Sequence, residues 1–187
     1  MTPRIQEHTA LHPLLAGRWS PSSFDESHEV AAGEVDALLE AARWAPSAGN
    51  SQPWAFVVGR RGDDVHARLV RHLAPSAARW APAAGLLVAN LAHRYVEGTD
   101  WEFSEFAHYD LGQAVAHLTV QAQALGLAVH QFRAFDRAGL AAELGVPGHW
   151  EITTMAAIGR AAPAAGETPG GRVRRSLAEV RWPTASD

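Results

Sequence analysis

Amides and arginines, rather than nucleophiles, are the residues of this chain best suited to chemistry. From Ala45 to Phe56 it reads Ala-Pro-Ser-Ala-Gly-Asn-Ser-Gln-Pro-Trp-Ala-Phe. There Asn50 and Gln52 offer donors and acceptors that could read a planar heterocycle with alternating N–H and C=O groups. Pro46 cannot continue a helix, Gly49 and Asn50 tolerate positive φ, and Pro53 is expected to hold Gln52 extended, so the backbone should leave the turn with main-chain N–H groups pointing outward. The same composition suits an ordinary helix-to-strand connection whose polar residues cap their own backbone. Near the start, Arg18-Trp19-Ser20 on an extended chain puts a guanidinium and a hydroxyl on one side, able to hold a phosphate together; a solvated turn is the alternative. Near the end stand Arg172, Arg174 and Arg175, a short basic run that alone also reads as a solvated tail.

Composition narrows the chemistry further. All 16 basic residues are Arg and Cys is absent, so Schiff-base lysine, thiol nucleophile, disulfide and Cys-ligated metal are excluded. Ten His residues include His8 and His12 at i, i+4 spacing, but no HExxH or matching carboxylate accompanies them and no metal is expected. A net charge of −4 argues against nucleic acid or an anionic membrane as the general partner. The chain has no basic start followed by an apolar run and no apolar stretch long enough to span a bilayer, so a cytoplasmic protein is expected. At 187 residues and 47% hydrophobic, it suits one domain over 1–187, with an N-terminal arm at 1–13 and a C-terminal extension at 160–187.

These groups need elements to position them. Val35, Leu38, Leu39 and Ala42 predict a helix over 34–44 that delivers the turn, and 54–58 reads as a strand ended by Gly59. Val65, Leu69 and Leu73 mark a helix with Asp63 and Asp64 at its positive end, and 86–89 a buried strand. The longest helical pattern runs over 104–125, with Leu111, Val115, Leu118, Ala122 and Leu125 as its stripe and Gly126 as its cap. Residues 127–136 pass from strand to loop to a helix capped by Asp136 and closed by Gly145, and 152–159 reads as the last core strand. Between His93 and Tyr109, five aromatics interleave with acidic residues. Trp101, Phe103 and Phe106 there suit either a satellite core or the wall of a pocket for a planar substrate.

Pro46-Ser-Ala-Gly-Asn-Ser-Gln-Pro-Trp54 resembles the central signature of the nitroreductase family, the FMN-dependent NAD(P)H oxidoreductases. Arg18, Ser20 and Phe24 match that family's early phosphate motif, whereas Ser22 stands where the family carries a basic residue against the pyrimidine edge of the flavin. That loss implies a lower two-electron potential. Aligned on Phe135-Asp136, the residues Gln131, Phe132 and Arg133 fall on the family's flavin-facing loop; Arg133 replaces a frequent acidic residue and is read either as a surface Arg or as an attractant for anionic ligands. Arg172 and Arg174 match a late basic pair that returns to the FMN phosphate. Tyr109-Asp-Leu-Gly112 also fits the family pattern and makes Asp110 structural.

The resemblance implies an α+β fold, a three-layer α/β/α sandwich with a central mixed sheet, in an intertwined homodimer with FMN at the interface. Arg18, Trp19, Ser20, Ser22, Pro46, Ser47, Asn50, Gln52, Gln131, Phe132, Arg133, Arg172 and Arg174 would bind FMN. NAD(P)H would reduce nitroaromatics, quinones or similar planar acceptors by ping-pong hydride transfer through flavin N5. The cofactor would carry the chemistry, leaving the protein no catalytic residue of its own. Rival readings keep the fold with another reaction (dehalogenation, desaturation or flavin fragmentation) or make the chain a non-catalytic flavin binder.

Overall fold

In the computed structural model, which describes residues 11–162 and 173–183, four strands form one sheet in the order β1-β2-β4-β3. They are β1 (Trp54–Arg60), β2 (Leu86–His93), β3 (Ala128–Phe132) and β4 (Trp150–Gly159), and the helices are α1 (Pro13–Gly17), α2 (Ala32–Arg43), α3 (Asp64–Arg71), α4 (Pro75–Ala78), α5 (Ala107–Ala124), α6 (Arg137–Leu144) and α7 (Leu177–Val180). The expected α/β/α class is found, with one correction. Where a mixed sheet was expected, all three pairings among the described strands are antiparallel. The connection through α5 crosses from β2 to β3, which run in the same direction with one place open between them, and α6 returns the chain so that β4 fills that place antiparallel to both.

The layers follow from the two-residue alternation of the strands. Leu86, Val88, Ala156 and Ile158 face α2 and α5, where they pack on Leu38, Ala42, Ala114, Leu118 and Ala122. Leu87, Ala89, Met155 and Ala157 face the opposite way onto Leu69 of α3, Leu140 of α6 and the loop residues Phe24 and Phe135. A register shift between Asn90 and Leu91 interrupts the alternation, which is how Ile152 reaches the same layer as Met155. Gly59 is required by the approach of α3, since a Cβ there would stand 2.5 Å from the His66 amide nitrogen.

The predicted elements form; the strands run longer, β1 to Arg60 and β4 from Trp150, whereas the helix expected over 104–125 spans only Ala107–Ala124. The β2 strand continues four residues beyond 86–89, and α2 begins at Ala32, where Glu34 Oε2 accepts the Ala31 amide at 2.8 Å. Asp63 caps α3 by accepting from His66 N at 2.6 Å, and Asp136 caps α6 by accepting from Gly139 N at 3.1 Å. His12 also serves as a cap, its Nδ1 accepting the Leu14 amide at 3.2 Å at the start of α1; His8 lies outside the described residues. Among the described residues, no helix is long and apolar enough to cross a membrane.

Candidate functional site

The turn 46–52 is built largely from its own residues. The amide of Asn50 donates to Ser47 O (3.0 Å), that of Ser51 to Ala48 O (3.1 Å) and that of Gln52 to Ser47 Oγ (3.0 Å). One distant anchor completes it: the buried Asp110 of α5, whose Oδ2 accepts from Ala48 N at 3.0 Å. This is the structural role expected of Asp110. Two expectations are corrected. Four amides, those of Ala48, Asn50, Ser51 and Gln52, are committed within the fold, so the turn presents mainly side chains rather than a fan of N–H groups. Gln52 is also left-handed, with φ 48, beside Gly49 at φ 58 and Asn50 at φ 55.

The proline restriction disfavours the right-handed helical region for Gln52 without forcing it to be extended. Its amide is tied to Ser47, and the Trp54 amide closes a three-residue turn over Pro53 onto Gln52 O at 2.9 Å. Two consecutive-but-one non-glycine residues in this region cost about 1–3 kcal/mol each, strain that persists only where surroundings impose it. The result is an exposed Asn50 side-chain amide with no partner among the described residues, and an exposed Gln52 whose Nε2 bonds to Asn50 O at 3.2 Å and whose side-chain oxygen remains an acceptor. Ser47 Oγ already accepts one bond and keeps its hydrogen to donate.

Beside this turn lies an apolar cleft of about 280 Å³ lined by Pro46, Ser47, Ala48, Phe106, Tyr109, Asp110 and Gln113. Phe106 thus joins the turn, as do Tyr109, one of the five aromatics of that stretch, and Gln113, which was not singled out from the sequence. The other two aromatics lie elsewhere. Phe103 stacks on His93 at 3.8 Å between centroids, and Trp150 covers the second face of that imidazole at 4.5 Å. Burial, and then the nearby His149, hold the His93 ring below its ordinary pKa. Trp101 is 77% exposed.

A second group forms along β3. This strand pairs only with β4, so alternate backbone groups on its outer edge face away from the sheet. The segment 18–25 is bonded to the chain just beyond β4, Asp25 N donating to Arg160 O (2.9 Å) and Ala162 N to Ser23 O (3.1 Å), and it meets β3 where Pro21 O accepts from the His130 ring at 2.8 Å. Arg18 Nη1 donates to Ser20 Oγ at 3.3 Å, so the guanidinium and hydroxyl converge as predicted. Trp19 is half-buried and Ser22 exposed. Gln131 is exposed and its Nε2 donates to Thr119 Oγ1 of α5 at 3.4 Å, while the Arg133 guanidinium is exposed with no partner among the described residues. Phe132 turns into the core edge-on to Trp80, at 5.2 Å.

The predicted residues therefore gather as two groups rather than one. The turn leads into β1 and the second group borders β3, at opposite edges of the sheet, three strand spacings or about 14 Å apart. Along α5 their anchors Asp110 and Thr119 are nine positions apart, or about 13.5 Å. Arg172 lies outside the described residues. Arg174 is exposed on the segment 173–183, and its Nη1 donates to Val173 O at 3.3 Å.

Comparison with known proteins agrees with this geometry. Residues 15–87 match the nitroreductase family model, a span that includes the early Arg-x-Ser, α2, the turn and β1. The chain superposes on the crystal structure of an oxidoreductase containing FMN with a TM-score of 0.85, at 26% identity, covering 97% of this chain and 96% of that one. Over residues 15–87 the chain is similar to the nitroreductase family. A nitroreductase family protein from Streptococcus pneumoniae TIGR4 shares the fold at a TM-score of 0.75 and 18% identity, over 91% and 98% of the two chains. An oxygen-insensitive NADPH nitroreductase of Helicobacter pylori (strain J99 / ATCC 700824) is 38% identical over 55 residues, a match that spans 29% of this chain and 26% of its relative. A Rhodopseudomonas palustris (strain TIE-1) protein, whose name pairs NADH dehydrogenase with NAD(P)H nitroreductase, is 28% identical over 71% of this chain and 76% of its own.

Proposed function

We propose that this chain is an FMN-dependent oxidoreductase that uses NAD(P)H to reduce nitroaromatics, quinones or similar planar acceptors. The observation that carries the reading is the Arg18–Ser20 pair, 3.3 Å apart, on a segment fastened to the edge strand β3 by the Pro21–His130 bond. A bidentate guanidinium and a hydroxyl at that spacing suit a phosphate dianion, and the exposed Gln131 and Arg133 continue the same edge. The donor set fits FMN: cations and a hydroxyl for one end, amide side chains of both polarities for a heterocycle, and apolar walls for its faces. When bound, FMN supplies the hydride chemistry.

The chain's own residues bind and orient. Arg18 and Ser20 hold the phosphate, with Arg172 and Arg174 returning to it from the C-terminal segment. Asn50 and Gln52 meet the ring or ribityl chain with Pro46 and Ser47 beside them. Phe106 and Tyr109 close an apolar wall that excludes water from a planar acceptor. The two groups lie at opposite edges of one chain's sheet, which supports a homodimer in which each complete site takes the turn from one copy and the β3 edge from the other. A groove of about 590 Å³ between α2 and α5, bordered by Trp44 at 72% exposure, adjoins the turn and supplies apolar surface for that contact.

Purified protein should be yellow, bleach anaerobically on addition of NADPH or NADH, and regain colour with a nitroaromatic or quinone. Colourless protein that takes up no added FMN overturns this reading.

A further inference from the structure

The segment carrying Arg18 and Ser20 has no strand or helix of its own, yet a phosphate-binding pair is useful only at a fixed distance from the ring-binding residues. What fixes that distance is visible in one side chain. The His130 ring nitrogen Nδ1 lies 2.8 Å from the carbonyl oxygen of the fully buried Pro21. A carbonyl can only accept, so Nδ1 carries the hydrogen and donates. The same ring lies flat on Trp80, with centroids 4.3 Å apart and an interplanar angle of 21°. Trp80 in turn stacks with Phe24 at 6.3 Å and meets Phe132 edge-on. Pro21 and Phe24 belong to the phosphate segment, and His130 and Phe132 to β3; Trp80 binds both.

We propose that His130 is a positioning residue that locks the phosphate-binding segment to the ring-facing edge of β3, so that both ends of one FMN are held at a preset spacing. The role rests on the flavin reading above and adds to it a residue that touches no ligand. Its position explains the effect: it immediately precedes Gln131, Phe132 and Arg133, and its bond is to the backbone of Pro21, the residue that directly follows Arg18-Trp-Ser20. Without the bond, phosphate and ring would be bound by two independently moving parts, and the phosphate would add less to affinity.

The discriminating experiment compares FMN with riboflavin, which has the same ring without the phosphate, on the full-length protein. His130→Phe keeps an aromatic ring for Trp80 but removes the donor; His130→Asn places an amide N–H near the position of Nδ1 without the stacking ring. Wild type should bind FMN more tightly than riboflavin. His130→Phe should weaken FMN about tenfold, the size of one lost hydrogen bond, and leave riboflavin unchanged; His130→Asn should recover most of the difference. Equal weakening of both flavins by His130→Phe, or no change in either, overturns the proposal. Wild type that binds neither flavin fails the functional reading itself, and this role with it. Should His130→Phe not fold, side-chain ¹⁵N spectra of the wild type at pH 8 decide: His130 protonated at Nδ1 supports the lock, and protonation at Nε2 alone refutes it.

Discussion

In the turn 46–52, Ser47, Asn50, Ser51 and Gln52 bond chiefly among themselves, with Asp110 as the one distant anchor. Along β3 the pattern is reversed: Pro21 is held by His130 across 109 positions of sequence, and Trp80 joins both from a third part of the chain. The first group carries its shape in its own backbone strain, whereas the second acquires shape only when the sheet and its loops are assembled. A substitution in the turn should therefore act locally, and one along β3 should be felt by everything packed on Trp80.

The largest effect is expected where the second group meets its ligand. Arg18→Met should weaken FMN about 10- to 100-fold, as loss of a charge-assisted hydrogen bond does; flavin titration with unchanged affinity would reject the phosphate assignment. In the first group, Asp110→Ala leaves the Ala48 amide without its partner and should cost about 1–3 kcal/mol in urea unfolding. Amide exchange should quicken over 46–52 while the amides of Asp25 and Ala162, which fasten the 18–25 segment, stay protected. If both regions loosen together, the contrast drawn between them is wrong.

Ser22→Arg restores a cation on the second group's segment and should raise the two-electron potential of bound flavin by about 30 mV, equivalent to about 1.4 kcal/mol for such a couple. An unmoved potential removes Ser22 from the flavin's neighbourhood. Gln52→Gly relieves a left-handed side chain and should gain up to about 1 kcal/mol of stability while weakening flavin binding; a loss of stability instead would mean that Gln52 is not strained.

The smallest effect lies outside both groups and serves as their control. Glu143 of α6 meets Arg71 and also bonds His72 Nε2 of the α3 C-cap at 2.5 Å. Arg71 first, and then His72, hold its carboxyl down from the ordinary 4.5 to about 2. A carboxyl with a depressed folded pKa stabilises fully above pH 4.5, and its contribution is lost as pH falls from 4.5 through about 2. Glu143→Gln should lower Tm slightly at neutral pH and flatten its fall across that acid window, with flavin affinity unchanged at pH 7.

What could be read in advance divides along the same line. The turn was legible because its determinants are contiguous: Pro46, Gly49, Asn50 and Pro53 announce a break, and Asp110 lies within a helix whose stripe is plain. Short apolar runs at 54–58, 86–89 and 152–159 announced the sheet, although such runs say nothing of strand direction, and the antiparallel pairings appear only in the fold. Gln52 was misjudged because hydrogen bonds of the turn outweighed a local preference. Trp80, Pro21 and His130 carried no signal, since a tryptophan in an alanine-rich stretch and a histidine in a strand are ordinary until packing makes them neighbours.

Helix α5 touches both groups, holding Ala48 through Asp110 and Gln131 through Thr119. Removing one residue between those two positions would draw the anchors about 1.5 Å closer and swing one around the axis by about 100° relative to the other. Surface loops can lengthen or shrink at little cost to such a molecule, but this stretch of helix cannot. Redesign aimed at new acceptors can vary Phe106 and Tyr109 at its entrance, and should leave the length of helix between the anchors untouched.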